Sequence, residues 1–164
     1  PVIIYNVPGR TGLNMTAATT LRLAHATPKI VAIKEACGNI EQMQAILDGR
    51  PEDFLVLSGD DGITVELVKR GGDGVISVAA NAFPERFCGC VHNAMKGNIA
   101  LAESEIAELT PAIDLLFKEG NPSGVKSLTA ARGITRSEAR LPRGQRPEKP
   151  AADIKSAIAR YELK

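Results

Sequence analysis

The sequence lacks an excess of charge of either sign and lacks a long hydrophobic run. Its 164 residues include 20 basic and 19 acidic side chains, a formal net charge of +1, so no long-range field attracts nucleic acid or an anionic membrane. No apolar run approaches the roughly 18 residues of a membrane span. We therefore expect a soluble globular domain that acts on a small molecule, with no nucleic-acid partner and no membrane partner.

Paired cysteines are also lacking. Cys37, Cys88 and Cys90 are an odd number, and their spacing is not that of a zinc site. The sequence therefore predicts neither a disulfide framework nor a cysteine-bound metal, and reduced thiols favour a cytoplasmic location. No signal peptide opens the chain. Pro1 is followed directly by a β-branched run, as expected of a sequence that begins inside a longer one.

Four short β-branched apolar runs predict four strands, over residues 2–5, 30–33, 54–57 and 75–78. Each run is followed by Gly, Asn or Asp, or by a polar strand end, and then by a segment with helical periodicity. Continuous apolar strands are buried on both faces, which is typical of a parallel sheet in an α/β fold. The sequence therefore predicts repeated β-α units.

Capping residues mark where the helices between these strands begin. Thr16 is the predicted N-cap of one helix, and Asn39 followed by Gln42 resembles a capping box. A helix over 61–70 is expected to begin at Asp60 or Asp61 as its N-cap.

Beyond residue 97 no further strand is predicted. Helices are expected over 98–118, 123–132 and 151–161, with a solvated linker over 133–150. We expect residues 1–97 to form a sheet with its helices and residues 98–164 to form a helical region.

Lys34 directly follows the second predicted strand, at the edge of the sheet where parallel α/β proteins place catalytic groups. Desolvation there would lower the pKa of the amine and leave it able to attack a carbonyl, which describes a Schiff-base lysine. A lysine paired with Glu35, or with a neighbouring carboxylate at the edge of the sheet, is an equally good interpretation. Tyr5, at the end of the preceding strand, is either a proton relay beside Lys34 or a core aromatic.

Two further features at this edge allow more than one interpretation. Arg10 lies in a glycine-bracketed loop and suits bidentate binding of a substrate carboxylate, although a surface arginine without a role fits as well. Glu35, Asp60 and Asp61 follow two neighbouring strands and could hold Mg²⁺ in an enolising enzyme. Because no histidine joins these carboxylates, we predict no metal site.

Several motifs occur together and in a fixed order along the chain. They are Tyr5-Asn6-Val7-Pro8, Arg10-Thr11-Gly12, Ile33-Lys34-Glu35-Ala36, Ser58-Gly59-Asp60-Asp61, the segment 71–78 with Asn81, Asn121-Pro122 and Leu141-Pro142. Together they resemble the dihydrodipicolinate synthase family. One local departure is Ser123-Gly124, where that family usually has an apolar residue and proline.

The resemblance implies a class I aldolase, and it implies a fold of the α/β class. The four strands would be the C-terminal half of a (β/α)8 TIM barrel, followed by a helical extension. Lys34 would form the Schiff base with pyruvate, and Tyr5 would carry protons to and from the enamine. Arg10 would bind the carboxylate of the second substrate. Gly59 and Ile76 would shape the pocket through their backbone, Ile76 with its carbonyl.

The resemblance also implies the substrates, pyruvate and L-aspartate 4-semialdehyde, and a product that enters lysine and diaminopimelate biosynthesis. No cofactor is expected, because the imine itself accepts the electrons. The partners would be further copies in a homotetramer and the missing N-terminal half of the barrel, since a whole barrel takes about 250 residues. The alternatives are another pyruvate-dependent aldolase, such as N-acetylneuraminate lyase, and a non-catalytic half-barrel module.

Overall fold

A computed structural model describes residues 1–118 and 120–141, together with positions 156, 159 and 160. Four parallel strands form one sheet in the order β1-β2-β3-β4. Their bounds are Val2–Asn6 for β1, Ile30–Glu35 for β2, Leu55–Ser58 for β3 and Gly74–Val75 for β4. The predicted fold class, four parallel strands with helices, is therefore confirmed.

Helices follow the strands and continue after the last of them. Those within the sheet region are α1 (Pro8–Thr11), α2 (Ala17–Ala26), α3 (Ile40–Gly49) and α4 (Thr64–Lys69). A 3-10 turn (Ala79–Asn81), α5 (Pro84–Met95), α6 (Ile99–Phe117) and α7 (Ser123–Ala131) come later. The predicted helix over 151–161 lies outside the described residues, and so does most of the predicted linker over 133–150.

The fourth strand is shorter than its apolar run predicts. We expected residues 75–78, but β4 consists of Gly74 and Val75, which pair with Leu57 and Ser58. The Ile76 amide donates to the Ser58 carbonyl at 2.9 Å, and β3 ends at that same residue. Because the strand can pair only as far as its neighbour extends, the rest of the apolar run leaves the sheet.

Side chains from one face of the sheet pack against α2 and α3. Ile33 and Val56 of the strands are fully buried with Met43 and Ile46 of α3, and Ala24 of α2 joins the same cluster. Burial of each large apolar side chain contributes about 1.5–3 kcal/mol to the stability of the fold. This layer fixes the positions of the strands whose carboxyl ends form the candidate site.

The opposite face of the sheet is apolar and exposed. Side chains alternate between the two faces of a strand, so Ile3 and Tyr5 of β1 and Leu55 of β3 lie on the face opposite Ile4 and Val56. Their exposed fractions are 50%, 48% and 44%. In a complete barrel this face is the interior that is filled by layers of side chains from all strands.

The predicted N-caps of α2 and α3 are observed. The Thr16 hydroxyl accepts from the Thr19 amide at 3.3 Å, and the Asn39 side chain accepts from the Gln42 amide at 2.8 Å. The capping-box interpretation is incomplete, however, because the Gln42 side chain bonds to Met15, Asn14 and Glu35. Gln42 therefore connects α3 to the loop after β1.

The chain divides into two compact units, one of residues 1–77 with 89–103 and the other of residues 78–88 with 104–164. The first unit contains the whole sheet. A division at residue 97 stays a prediction. No helix in the described part of the chain combines the length and apolar character needed to cross a membrane.

In the second unit, the unusual Ser123-Gly124 pair begins α7. A Cβ atom added at Gly124 would lie 2.0 Å from the Leu116 carbonyl oxygen. Glycine is therefore required by the close approach of α7 to the end of α6.

Candidate active site

Lys34 lies near the carboxyl end of β2, one residue before the strand ends. It pairs with Tyr5 of β1, and its Nζ atom lies 4.3 Å from the centroid of the Tyr5 ring. This is the geometry of a cation-π contact. Lys34 forms no salt bridge with Glu35, whose side chain lies on the opposite face of the strand. The interpretation of Lys34 as the partner of Glu35 is therefore wrong.

Gly59 follows β3 directly and packs against the lysine. Its amide donates to the Glu35 carbonyl at 2.7 Å. A Cβ atom at Gly59 would lie 3.1 Å from Lys34 Cε and 2.6 Å from Ala36 Cβ. The space beside the lysine stem therefore depends on the absence of a side chain at this position.

Arg10 and Ile76 lie in the loops that follow the first and last strands of the sheet. Arg10 is exposed and belongs to the short helix α1. Gly12, the C-cap residue that follows this helix, has a positive φ of 73°. Ile76 is 44% exposed, directly after β4. Lys34, Tyr5 and Gly59 thus form one cluster, while Arg10 and Ile76 lie at the two outer strands of the same edge.

Glu35 forms a buried network that the sequence analysis did not find. Its side chain is 0% exposed and accepts hydrogen bonds from Asn6 and Gln42. Asn6 itself is 3% exposed. The sequence feature that could have indicated this network is the polar residue at the end of each of two neighbouring strands, Asn6 and Glu35, which the register places opposite one another.

The carboxylates proposed for a magnesium site are engaged in other ways. Both oxygens of Glu35 accept from N–H groups, and Asp60 Oδ1 accepts from the Gly62 amide at 2.9 Å. Among the described residues no group of three His, Cys, Asp or Glu side chains is placed to hold a metal ion. The N-cap prediction for Asp60 or Asp61 is wrong, because α4 begins at Thr64 after Ile63. The Asp60 side chain instead stabilises the turn over residues 60–62, which precedes α4.

Cys37 lies next to this network. Burial, together with a hydrogen bond to the nearby Glu35 carboxylate and charge repulsion from it, raises the pKa of the Cys37 thiol from its ordinary 9.0 to about 11, although the Asn39 backbone lowers it in part. The thiol donates to the Asn39 carbonyl at 3.8 Å. At neutral pH this thiol is protonated and a poor nucleophile.

A cleft of about 400 Å³ lies at the amino ends of β2 and β3, lined by residues that include His25, Pro28, Ile30, Glu52 and Phe54. Lys34 is near the other end of β2. The cleft is therefore not part of the candidate site, which occupies the carboxyl edge where parallel α/β proteins carry their chemistry.

Residues 1–160 match the model of the dihydrodipicolinate synthetase family. A relative from Phocaeicola vulgatus, named 4-hydroxy-tetrahydrodipicolinate synthase, is 51% identical over 142 residues, which are 87% of this chain and 48% of the relative. The chain thus spans about half the length of the curated relatives it matches.

Solved structures agree in fold. The dihydrodipicolinate synthase from Aquifex aeolicus is 33% identical with a TM-score of 0.95, and the match covers 99% of this chain and 56% of that one. The chloride-inhibited dihydrodipicolinate synthase from Acinetobacter baumannii, in complex with pyruvate, is 34% identical with a TM-score of 0.90 and coverages of 97% and 54%. With these strand-end motifs on four parallel strands, the chain belongs to the dihydrodipicolinate synthetase family and has the fold of the C-terminal half of its barrel.

Proposed function

We propose that this chain supplies the imine-forming half of a 4-hydroxy-tetrahydrodipicolinate synthase, which condenses pyruvate with L-aspartate 4-semialdehyde. One observation carries the proposal: Lys34 lies at the carboxyl edge of the sheet with its Nζ 4.3 Å from the ring centroid of Tyr5. Family membership supports the reaction class. The pyruvate complex of the Acinetobacter baumannii enzyme supports the first substrate.

The proposed chemistry begins when the Lys34 amine attacks the C2 carbonyl carbon of pyruvate. Loss of water gives an iminium ion, which withdraws electrons from the neighbouring methyl carbon. That carbon loses a proton, becomes the enamine nucleophile and bonds to the aldehyde carbon of the second substrate. Because the iminium accepts the electron pair and later returns it, the sequence of steps needs no redox cofactor.

Tyr5 is the proposed proton relay for these steps. A phenol can both donate and accept a proton, and the ring of Tyr5 lies beside the reacting nitrogen. Arg10 is the proposed partner of the aldehyde substrate's carboxylate, since its planar guanidinium binds a carboxylate through two parallel hydrogen bonds. Gly59 and Ile76 are the proposed pocket residues that act through their backbone.

The remaining parts of the proposal concern assembly and location. The four-stranded sheet leaves an exposed apolar face that includes Ile3, Tyr5 and Leu55, which supports a second half-barrel as the partner, within a homotetramer of complete barrels. Cys37, Cys88 and Cys90, all described by the structure, form no disulfide. Free thiols support a cytoplasmic location.

The test uses a completed barrel, in which the part of the Phocaeicola vulgatus synthase that precedes its matched region is joined ahead of Pro1. This protein is incubated with pyruvate and borohydride, and its peptides are mapped by mass. We expect the reduced pyruvate adduct on Lys34 and its absence from Lys34→Arg. Lys29, at the amino end of the same strand and exposed, provides the matched control: Lys29→Arg keeps the adduct.

Each alternative function gives a different result in this experiment. An adduct without condensation of L-aspartate 4-semialdehyde, but with turnover of another aldehyde, would indicate a different pyruvate-dependent aldolase. A folded completed barrel that forms no adduct would indicate a non-catalytic module. Loss of turnover on addition of a chelator would favour the magnesium-dependent alternative.

A further inference from the structure

A buried carboxylate lies directly behind the candidate catalytic lysine. Glu35 follows Lys34 in β2, and successive side chains of a strand point to opposite faces. Ile33, on the same face as Glu35, belongs to the core beneath α2 and α3. Glu35 is 0% exposed and forms no salt bridge with any lysine or arginine of the described residues. A buried charge is stable only where hydrogen bonds replace its water.

Those hydrogen bonds come from three different elements. Asn6 Nδ2, at the end of β1, donates to both carboxylate oxygens at 2.9 and 3.0 Å. The Cys37 amide, just after β2, donates to Oε1 at 2.9 Å, and Gln42 Nε2 of α3 donates to Oε2 at 3.1 Å. Every group of the described residues that meets the carboxylate is a donor: the N–H groups of Asn6, Cys37 and Gln42, and the Cys37 thiol. An ionised carboxylate, which only accepts, is the side chain that fits this arrangement.

The Asn6 and Gln42 amides also hold the far end of the loop after β1, at Asn14 and Met15, against the end of that strand. Asn6 Oδ1 accepts from the Met15 amide at 3.0 Å, and Asn6 Nδ2 also donates to Asn14 Oδ1 at 2.8 Å. Gln42 accepts from Asn14 Nδ2 at 2.8 Å and donates to the Met15 carbonyl at 3.0 Å. Arg10 lies midway along this loop, in α1. Its backbone position therefore depends on which way the amides are oriented.

We propose that Glu35 is a positioning residue for the loop over residues 7–15 that contains Arg10, the Arg10 loop. The Glu35 carboxylate orients the Asn6 and Gln42 amides, and these amides join the far end of that loop to the end of β1. The proposal rests on the proposed function, in which Arg10 binds the carboxylate of the aldehyde substrate. Glu35 touches no substrate and acts from the outer face of the sheet. Lys34, on the other face, keeps its place through the pairing of β1 with β2 and its contact with Tyr5.

The test is Glu35→Gln in the completed barrel. The carboxamide replaces one acceptor oxygen by an N–H donor that faces other donors, so the amide orientations cannot all be kept. We expect the KM for L-aspartate 4-semialdehyde to rise about tenfold, because a small displacement of a binding group weakens binding steeply. Borohydride trapping of pyruvate on Lys34 should stay within about twofold. A purely structural role would instead weaken aldehyde binding and pyruvate trapping together.

A second measurement does not depend on activity. Hydrogen exchange at the Met15 amide and trypsin cleavage after Arg10 should both accelerate in Glu35→Gln, because both report release of the loop. Glu41→Gln makes the same chemical change at an exposed position of α3, and it should change none of these quantities. If Glu35→Gln does not fold, Asn14→Ala removes the hydrogen bonds of the Asn14 side chain to Asn6 and Gln42 and leaves the buried charge in place. It should raise the same KM and exchange rate.

The outcomes separate this inference from the proposed function. An unchanged aldehyde KM with an unchanged Met15 exchange rate, in a folded variant, would overturn the positioning role. So would a loss of pyruvate trapping as large as the loss in kcat/KM, since Glu35 would then support Lys34 instead of the loop. If the unsubstituted barrel traps no pyruvate, the proposed function fails, and the exchange and cleavage rates still decide whether Glu35 holds the loop.

Discussion

The Nζ atom of Lys34 lies 4.3 Å from the centroid of the Tyr5 ring, across the pairing of β1 with β2. Lys34 forms no salt bridge with any of the described residues, so its deprotonated amine has no ion pair to break before it attacks a carbonyl. The phenol that would carry protons belongs to the same pair. The register of the neighbouring strands thus brings the proposed nucleophile and the proposed proton carrier together.

Gly59 keeps the space beside the Lys34 stem open. We predict that Gly59→Ala slows formation of the pyruvate imine about tenfold, because the new Cβ displaces the lysine side chain. The rate of borohydride trapping in the completed barrel measures this effect. Gly62→Ala, in the same turn, meets only Asp60 Oδ1 at 3.4 Å and should trap pyruvate at the unsubstituted rate. Equal rates for both variants would show that Gly59 leaves the lysine undisturbed.

Arg10 is predicted to bind the aldehyde substrate and not pyruvate. Arg10→Ala should raise the KM for L-aspartate 4-semialdehyde about 10- to 100-fold while trapping on Lys34 survives. Arg10→Lys should recover part of the loss, since lysine keeps the charge but lacks the planar fork. Steady-state kinetics of the completed barrel provide the measurement, with the exposed Arg22→Ala as control. Loss of trapping in Arg10→Ala would show that its role is misassigned.

Cys37 is predicted to resist alkylation below pH 9 in the folded protein. Its pKa is raised from 9.0 to about 11, and the thiolate is the reactive form. Between pH 9 and about 11 the folded state binds more protons than the unfolded state. The contribution of Cys37 to the free energy of unfolding is therefore fully present below pH 9 and is lost as the pH rises through about 11. Mass-resolved labelling across this range, with Cys37→Ser as control for the other thiols, measures the reactivity. Rapid labelling of Cys37 at pH 8 would contradict the prediction.

Thr20 has a hydroxyl that is fully buried and has no hydrogen-bond partner among the described residues. We predict that Thr20→Val raises the free energy of unfolding by about 1 kcal/mol, because it replaces an unsatisfied polar group with a methyl of similar size. Chemical denaturation of the completed barrel measures the change. Thr19→Val, on the exposed side of α2, should give no gain. A loss of stability in Thr20→Val would mean that the hydroxyl has a partner in solution.

The 164-residue chain by itself is predicted to be inactive and self-associating. Its sheet leaves Ile3, Tyr5 and Leu55 about half exposed, so each forgoes about half of the roughly 1.5–3 kcal/mol that full burial contributes. Sedimentation velocity should show oligomers or loss to precipitate, and no condensation of pyruvate with L-aspartate 4-semialdehyde should be detected. The completed barrel serves as the comparison. A stable, monomeric and active preparation of the chain alone would contradict the prediction.

The sequence predicted best what depends on local pattern. Three of the apolar runs became β1, β2 and β3 with small changes at their ends. One face of these strands packs against α2 and α3 and the other corresponds to the interior of a complete barrel, so both faces select apolar residues. Lys34 and Tyr5 were predicted to lie side by side because they follow neighbouring strands, and the structure places them together, while their catalytic roles stay predictions. The length of β4 was mispredicted, since it depends on how far β3 extends and not on the residues that follow Val75.

Orientation was harder to predict than position. Asn6 and Glu35 are 29 residues apart, and only the register of β1 against β2 makes them neighbours. The Gln42 side chain was assigned to a capping box, which is a local pattern, whereas the buried carboxylate draws it away. Asp60 and Asp61 looked like N-caps for the same reason, although α4 begins only at Thr64. At Gln42 a contact with the buried carboxylate overrides the local motif, whereas Asp60 forms a different local contact, with the Gly62 amide.

The strand order β1-β2-β3-β4 repeats the order of the chain. When a strand of this sheet leaves the ribosome, the strand that it pairs with has therefore already been synthesised. No strand of this sheet has to be inserted later between two others. Because every closure joins adjacent β-α units, the loops that close during folding are short, and this favours rapid assembly. Asn6 and Glu35 meet as soon as the second strand is in place, so the polar base of the Arg10 loop can form before β3 and β4 are synthesised.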